Sequence, residues 1–132
     1  MTGTLACLFL LASCAADSDP LAETQWRITA VTGVDIAVLP VPPTFEFLEG
    51  WISGSAACNG FGGRYTTEGE QLSVIDMVWT ERACEGERVE IDETLSEMFA
   101  RPLRWQVVDG IALSLTNDAG GLLAYPMEAT QP

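Results

Sequence analysis

Four cysteines, an asparagine inside a glycine run and a series of carboxylates are the residues of this chain best suited to chemistry. Cys7, Cys14, Cys58 and Cys84 carry the thiols, Asn59 sits in Cys58-Asn59-Gly60-Phe61-Gly62-Gly63, and Tyr65 follows that run. Glu81, Glu85, Glu87, Glu90, Asp92, Glu93 and Glu97 form an acidic series. The sequence has no His, and its six basic residues are all Arg. It therefore lacks the side chain whose ordinary pKa suits proton transfer near neutrality, which is also the commonest zinc ligand. Any catalysis would rest on carboxylates, Cys, Ser or Tyr. The acidic series lacks the D-x-D-x-D-G pattern of a calcium loop and reads as a solvated helix face. No two carboxylates are singled out as a pair for glycoside cleavage. The glycine run lacks the Lys-Ser/Thr of a phosphate loop, and no helix opens after it. Asn59 is expected to make an Asx turn, and Tyr65 to pack with its hydroxyl satisfied. The expectation is a protein with no catalytic residues, no metal and no cofactor.

The cysteines divide by position. Leu5 to Ala12 is a short apolar run, far below the ~20 residues of a spanning helix, and Ser13 and Cys14 follow it. This is the layout of an export signal. Leu11-Ala12-Ser13-Cys14 resembles the bacterial lipobox, which implies acylation of Cys14 and loss of residues 1–13. An export signal starts basic, yet no Lys or Arg lies between Met1 and Leu5, so the true start is expected upstream. Ala15 and Ala16, rather than Asp, follow Cys14. By resemblance to enterobacterial lipoproteins, this implies an outer-membrane protein facing the periplasm. Cys7 leaves with the signal and Cys14 carries lipid, so Cys58 and Cys84 remain as an even pair in an oxidising compartment. A bridge between them is the favoured reading. A metal pair and two reduced buried thiols are the alternatives.

The elements that must position these residues are mostly strands. A hydrophobic fraction of 48% against 19% charged residues supports a packed core. The net charge of −13 argues against nucleic acid and against attraction to anionic lipid. Residues 14–24 read as a tether, 25–126 as one domain and 127–132 as a tail. Strands are expected over Gln25–Val31, Thr44–Leu48, Trp51–Ala56, Arg64–Thr67, Gln71–Trp79, Leu103–Val108, Ile111–Leu115 and Leu122–Tyr125. Turns are expected at Glu49-Gly50, the Cys58–Gly63 run, Glu68-Gly69 and Asp109-Gly110. Ile91, Leu95, Met98 and Phe99 recur at helical spacing within Arg88–Arg101, leaving Glu90, Asp92, Glu93 and Glu97 to the wet face. Trp26, Trp51, Trp79 and Trp105 read as core. The fold class is mainly β: a small curved antiparallel sheet or open β-barrel with one helix before the last three strands.

Gly54-Ser55-Ala56-Ala57-Cys58-Asn59-Gly60-Phe61-Gly62-Gly63-Arg64-Tyr65 resembles the signature of the META domain, or HslJ-like, family, roughly G-x-x-G-C-N-x-(F/Y)-x-G-x-Y. Trp26, Thr44–Phe47, Leu72, Val74, Thr80-Glu81-Arg82-Ala83-Cys84, Leu113-Ser114-Leu115 and Gly121-Leu122-Leu123 match further family elements in order. One position departs: Ala57 stands where the family usually has Gly. The resemblance singles out Gly54, Asn59, Gly60, Gly63 and Tyr65 as the signature turn. It implies a stress-associated envelope protein. With the lipobox and the lack of a catalytic set, the expectation is a non-enzymatic outer-membrane lipoprotein, held by its lipid anchor and monomeric. Its partner would be another envelope protein or, alternatively, a small apolar ligand or lipid carried in the barrel interior.

Overall fold

The computed structural model describes residues 19–127. The export signal, Cys14 and residues 128–132 lie outside the described residues. Eight strands run in chain order around a closed antiparallel barrel: β1 (Thr24–Val31), β2 (Thr44–Leu48), β3 (Trp51–Ser55), β4 (Gly60–Glu68), β5 (Gln71–Trp79), β6 (Leu103–Val108), β7 (Ala112–Asn117) and β8 (Gly120–Pro126). One helix, α1 (Glu87–Phe99), joins β5 to β6. The helix and the last three strands stand where the sequence predicts them. The curved sheet closes through pairing of β1 with β8.

Alternation drives the strands. Phe45 and Phe47 point inward from β2 and Glu46 does not; Phe61, Gly63 and Tyr65 do the same from β4. In β1, Trp26 and Ile28 are buried, but a bulge between Ile28 and Ala30 turns Ala30 out and brings Val31 in. The barrel interior is filled by side chains. Phe45, Phe47, Ile52, Leu72, Leu95 and Leu113 are each at most 2% exposed. Phe99 of α1 reaches in, its ring centroid 5.4 Å from that of Phe61 and 6.5 Å from that of Phe45.

Two sequence expectations change here. The Gly60–Gly63 run is strand, not turn: β4 begins at Gly60. Only Ala56–Asn59 turns, closed by the Ala56 N–H donating to the Asn59 carbonyl at 2.8 Å. The glycines serve close packing. A Cβ on Gly54 would stand 2.7 Å from the Phe61 ring and 2.8 Å from Phe45 Cβ, and one on Gly63 would stand 3.0 Å from Met77 Sδ. The folded unit also begins earlier than β1. Leu21, within the stretch read as tether, is buried against the core, and the Glu23 N–H donates to the Phe47 carbonyl at 2.6 Å.

The barrel has one narrow seam. β5 and β6 pair only through Gln71 with Arg104 and Leu72 with Leu103. The Trp105 N–H donates to the Glu70 carbonyl at 2.8 Å and its indole N–H to the Gly69 carbonyl at 3.0 Å. Helix α1 is fastened at its C-terminus by Asn117 of β7, whose amide donates to the Met98 carbonyl at 2.9 Å. The same carbonyl also accepts from the Arg101 N–H at 3.3 Å, so side chain and backbone close the helix end together.

Candidate functional site

The signature loop meets the helix at the α1 end of the barrel. The backbone N–H groups of Ala57 and Cys58 donate to Asp92 Oδ1 at 2.8 and 3.1 Å. The Asn59 N–H and its side-chain amide donate to Asp92 Oδ2 at 2.8 and 3.2 Å. Three successive peptide N–H groups converging on one point make an anion-binding concavity. Here the anion is the chain's own carboxylate, 8% exposed. Asp92, assigned by periodicity to the wet face, is thus a buried hub. Its helical neighbours at i+3 and i+7, Leu95 and Phe99, are both buried. That spacing was the available sign that Asp92 lies at the border of the buried face rather than outside it.

Asn59 carries the network onward. Its Oδ1 accepts from the Thr80 hydroxyl at 2.8 Å and from the Arg82 N–H at 2.7 Å. Thr80 Oγ1 in turn accepts from the Gly60 N–H at 3.0 Å. Asn59 therefore bonds across to the segment after β5 and does not make the local Asx turn expected of it. Cys58 and Cys84 face each other with sulfurs in bonding proximity and Cα atoms 6.3 Å apart. A disulfide spans that separation without backbone movement. Cys58, Asn59, Cys84 and Asp92 line a cleft of about 300 Å³ with Arg82, Val89 and Glu93.

The arrangement holds the loop against the helix. Each Asp92 oxygen already accepts two hydrogen bonds, and Asn59 uses both ends of its amide. Among the described residues, no three His, Cys, Asp or Glu side chains converge as metal ligands. The other acidic residues of the series, Glu81, Glu85, Glu87, Glu90, Glu93 and Glu97, are exposed.

The signature residues do not form one turn. Asn59 and Gly60 join the Asp92 network, Gly54 and Gly63 sit within β3 and β4, and Tyr65 lies toward the opposite end of the barrel. The Tyr65 ring packs edge-on against Phe47 with centroids 4.9 Å apart. Its hydroxyl donates to the Asp19 carboxylate, and the Leu48 carbonyl is a second acceptor at 2.9 Å. Burial first, then the hydrogen bond to Asp19 and its charge, raise the Tyr65 phenol well above its ordinary value. The fold favours neutral tyrosine, so this contribution is fully present below the unfolded phenol's pKa of about 10 and fades as pH rises above it. Stability by denaturant unfolding is expected to fall progressively as pH rises above about 10. Tyr65→Phe should lack that part of the decline; an identical decline in the variant would refute the assignment.

The tryptophans split. Trp26 is buried and Trp79 and Trp105 pack partly against the core, but Trp51 is 41% exposed. Its ring lies over Gly62, where an added Cβ would stand 3.4 Å from it.

These features define a small antiparallel β-barrel, closed at one end by a helix and by a signature loop clamped on that helix's carboxylate. The chain belongs to the META domain family, whose model matches residues 19–130. Two solved structures are similar. An NMR structure of a protein from Burkholderia xenovorans superposes with a TM-score of 0.68 at 20% identity, covering 83% of this chain and 85% of that one. A second NMR structure gives 0.69 at 25% identity, covering 80% and 90%. These likenesses establish the shared fold. No curated protein matches significantly.

Proposed function

We propose that this META domain protein is a non-enzymatic envelope lipoprotein, anchored through Cys14 in the outer membrane and facing the periplasm, where it binds or assists another envelope component. One observation supports the non-enzymatic part: the polar groups of the signature loop are taken up in bonds to Asp92, Thr80 and the Arg82 N–H, with Asp92 the acceptor of the loop's peptide N–H groups. The apolar-ligand carrier gains less support, because the barrel interior is occupied by Phe45, Phe47, Phe61, Phe99 and Leu95. The lipobox-like Leu11-Ala12-Ser13-Cys14 supports the anchor. Three acyl chains exceed the two signals that stable attachment requires.

Intact-mass analysis of protein expressed from its native start tests the anchor. Residues 1–13 are expected to be absent and Cys14 to carry lipid, with the protein in the membrane fraction. A Cys14→Ser protein that remains there with unchanged processing would overturn the reading.

A further inference from the structure

From the end of the barrel opposite α1 we infer that this end rests on the bilayer, seating exposed apolar side chains of two hairpins in the headgroup region. The inference rests on the lipoprotein reading above. In an antiparallel barrel, alternate connections share an end. Thr24 at the start of β1 lies opposite Phe47 at the end of β2. The chain therefore enters at the end that also carries the β2–β3, β4–β5 and β6–β7 turns. The signature loop and α1 occupy the other end.

The first described residue is fixed there. The Tyr65 hydroxyl holds Asp19, and Leu21 is sunk in the core. Only residues 15–18 separate Asp19 from Cys14. Five Cα-to-Cα steps reach at most about 18 Å. The nine residues of β4 span about 30 Å along the strand, or about 23 Å along the axis of a barrel with ordinary tilt. A tether that short keeps the entry end next to the acyl chains and the helix end away from them.

That same end bears apolar surface. Leu48 and Trp51 flank the β2–β3 turn, 45% and 41% exposed. Trp105 already sits at the β4–β5 turn, so the rest of β6 projects past it and carries Val107, Val108 and Ile111 outward, 39 to 51% exposed. Trp beside Leu suits the membrane–water interface, where an amphipathic ring has one wet and one apolar side. Glu49, Glu68 and Asp109 rim the same end and are exposed, while Glu70 there is paired with Arg104 at 3.1 Å. Their charge fits zwitterionic headgroups and opposes anionic ones.

The test uses the mature, lipidated full chain, its acylation first verified by intact mass, in phosphatidylcholine vesicles with brominated acyl chains. Tryptophan emission is expected to be quenched relative to unbrominated vesicles, and Trp51→Phe to remove most of the quenched part. Val108→Ser/Ile111→Ser should weaken the quenching at least twofold while the far-ultraviolet spectrum stays unchanged. Replacing half the lipid by phosphatidylglycerol should reduce quenching at low salt, with recovery at high salt. A lipidated protein whose emission is indifferent to bromine, or whose quenching survives Trp51→Phe intact, overturns the docking and leaves the anchor standing. A mass without lipid overturns both.

Discussion

Asp92→Ala is expected to lower folding stability by about 3–5 kcal/mol, the largest effect of any single polar substitution in this chain. The cost comes from the donors left behind. Three backbone N–H groups and the Asn59 amide lose their acceptor together, at a residue that is only 8% exposed. Each buried donor without a partner costs about 1–3 kcal/mol, moderated where water can enter the neighbouring cleft. Asp92→Asn should cost nearly as much, because its amide nitrogen would face peptide N–H groups that need an acceptor. Glu93→Ala on the next, exposed position should change stability by less than about 0.5 kcal/mol. Denaturant unfolding of the three variants measures this. A loss below about 1 kcal/mol for Asp92→Ala would mean that the loop finds other acceptors.

The contrast between Asp92 and Glu93 shows where the sequence was readable. Period-two alternation placed β2, because a strand with one buried face must alternate, and the Glu49-Gly50 and Glu68-Gly69 turns placed the starts of β3 and β5. Period 3.6 placed α1 through Ile91, Leu95, Met98 and Phe99, all of them buried. Polarity then misplaced Asp92, since a carboxylate is seldom buried unless something donates to it. Its donors lie 33 to 35 residues away, in the signature loop, and no local pattern reports such a pairing. The glycine run misled for a related reason. Glycine marks turns through its freedom at positive φ, but Gly54 and Gly63 are used for the space they leave to Phe61, Phe45 and Met77. Leu21 was lost to the tether because Pro20 and its acidic neighbours hid one residue that plugs the barrel. Trp51 reads as core with the other tryptophans, whereas the pleat that buries Ile52 sends it outward.

The second large effect concerns Cys58 and Cys84. A thiol count on unfolded, unreduced protein from an oxidising compartment is expected to be zero, and reduction or Cys84→Ser to cost about 2–4 kcal/mol. The backbone permits the bond: the Cα atoms are 6.3 Å apart, and the two segments are already joined by the bonds of Asn59 to Thr80 and Arg82. The bridge would act mainly on the unfolded chain, closing a sequence separation of 26 residues that spans β4 and β5. It would also act on the site, because the Cys58 peptide N–H is one of the donors to Asp92. Bridge and carboxylate hold the same loop from two sides, so their losses should not add. With the bridge cut, the loop is free to relax toward other acceptors, and Asp92→Ala in the Cys84→Ser background should cost less than it does alone by about 0.5 kcal/mol or more. Two free thiols would remove the bridge, and strictly additive losses would separate it from the clamp. With no bridge, Cys58 and Cys84 would be small half-buried apolar side chains, and the loop would be held by Asp92, Asn59 and Thr80 alone.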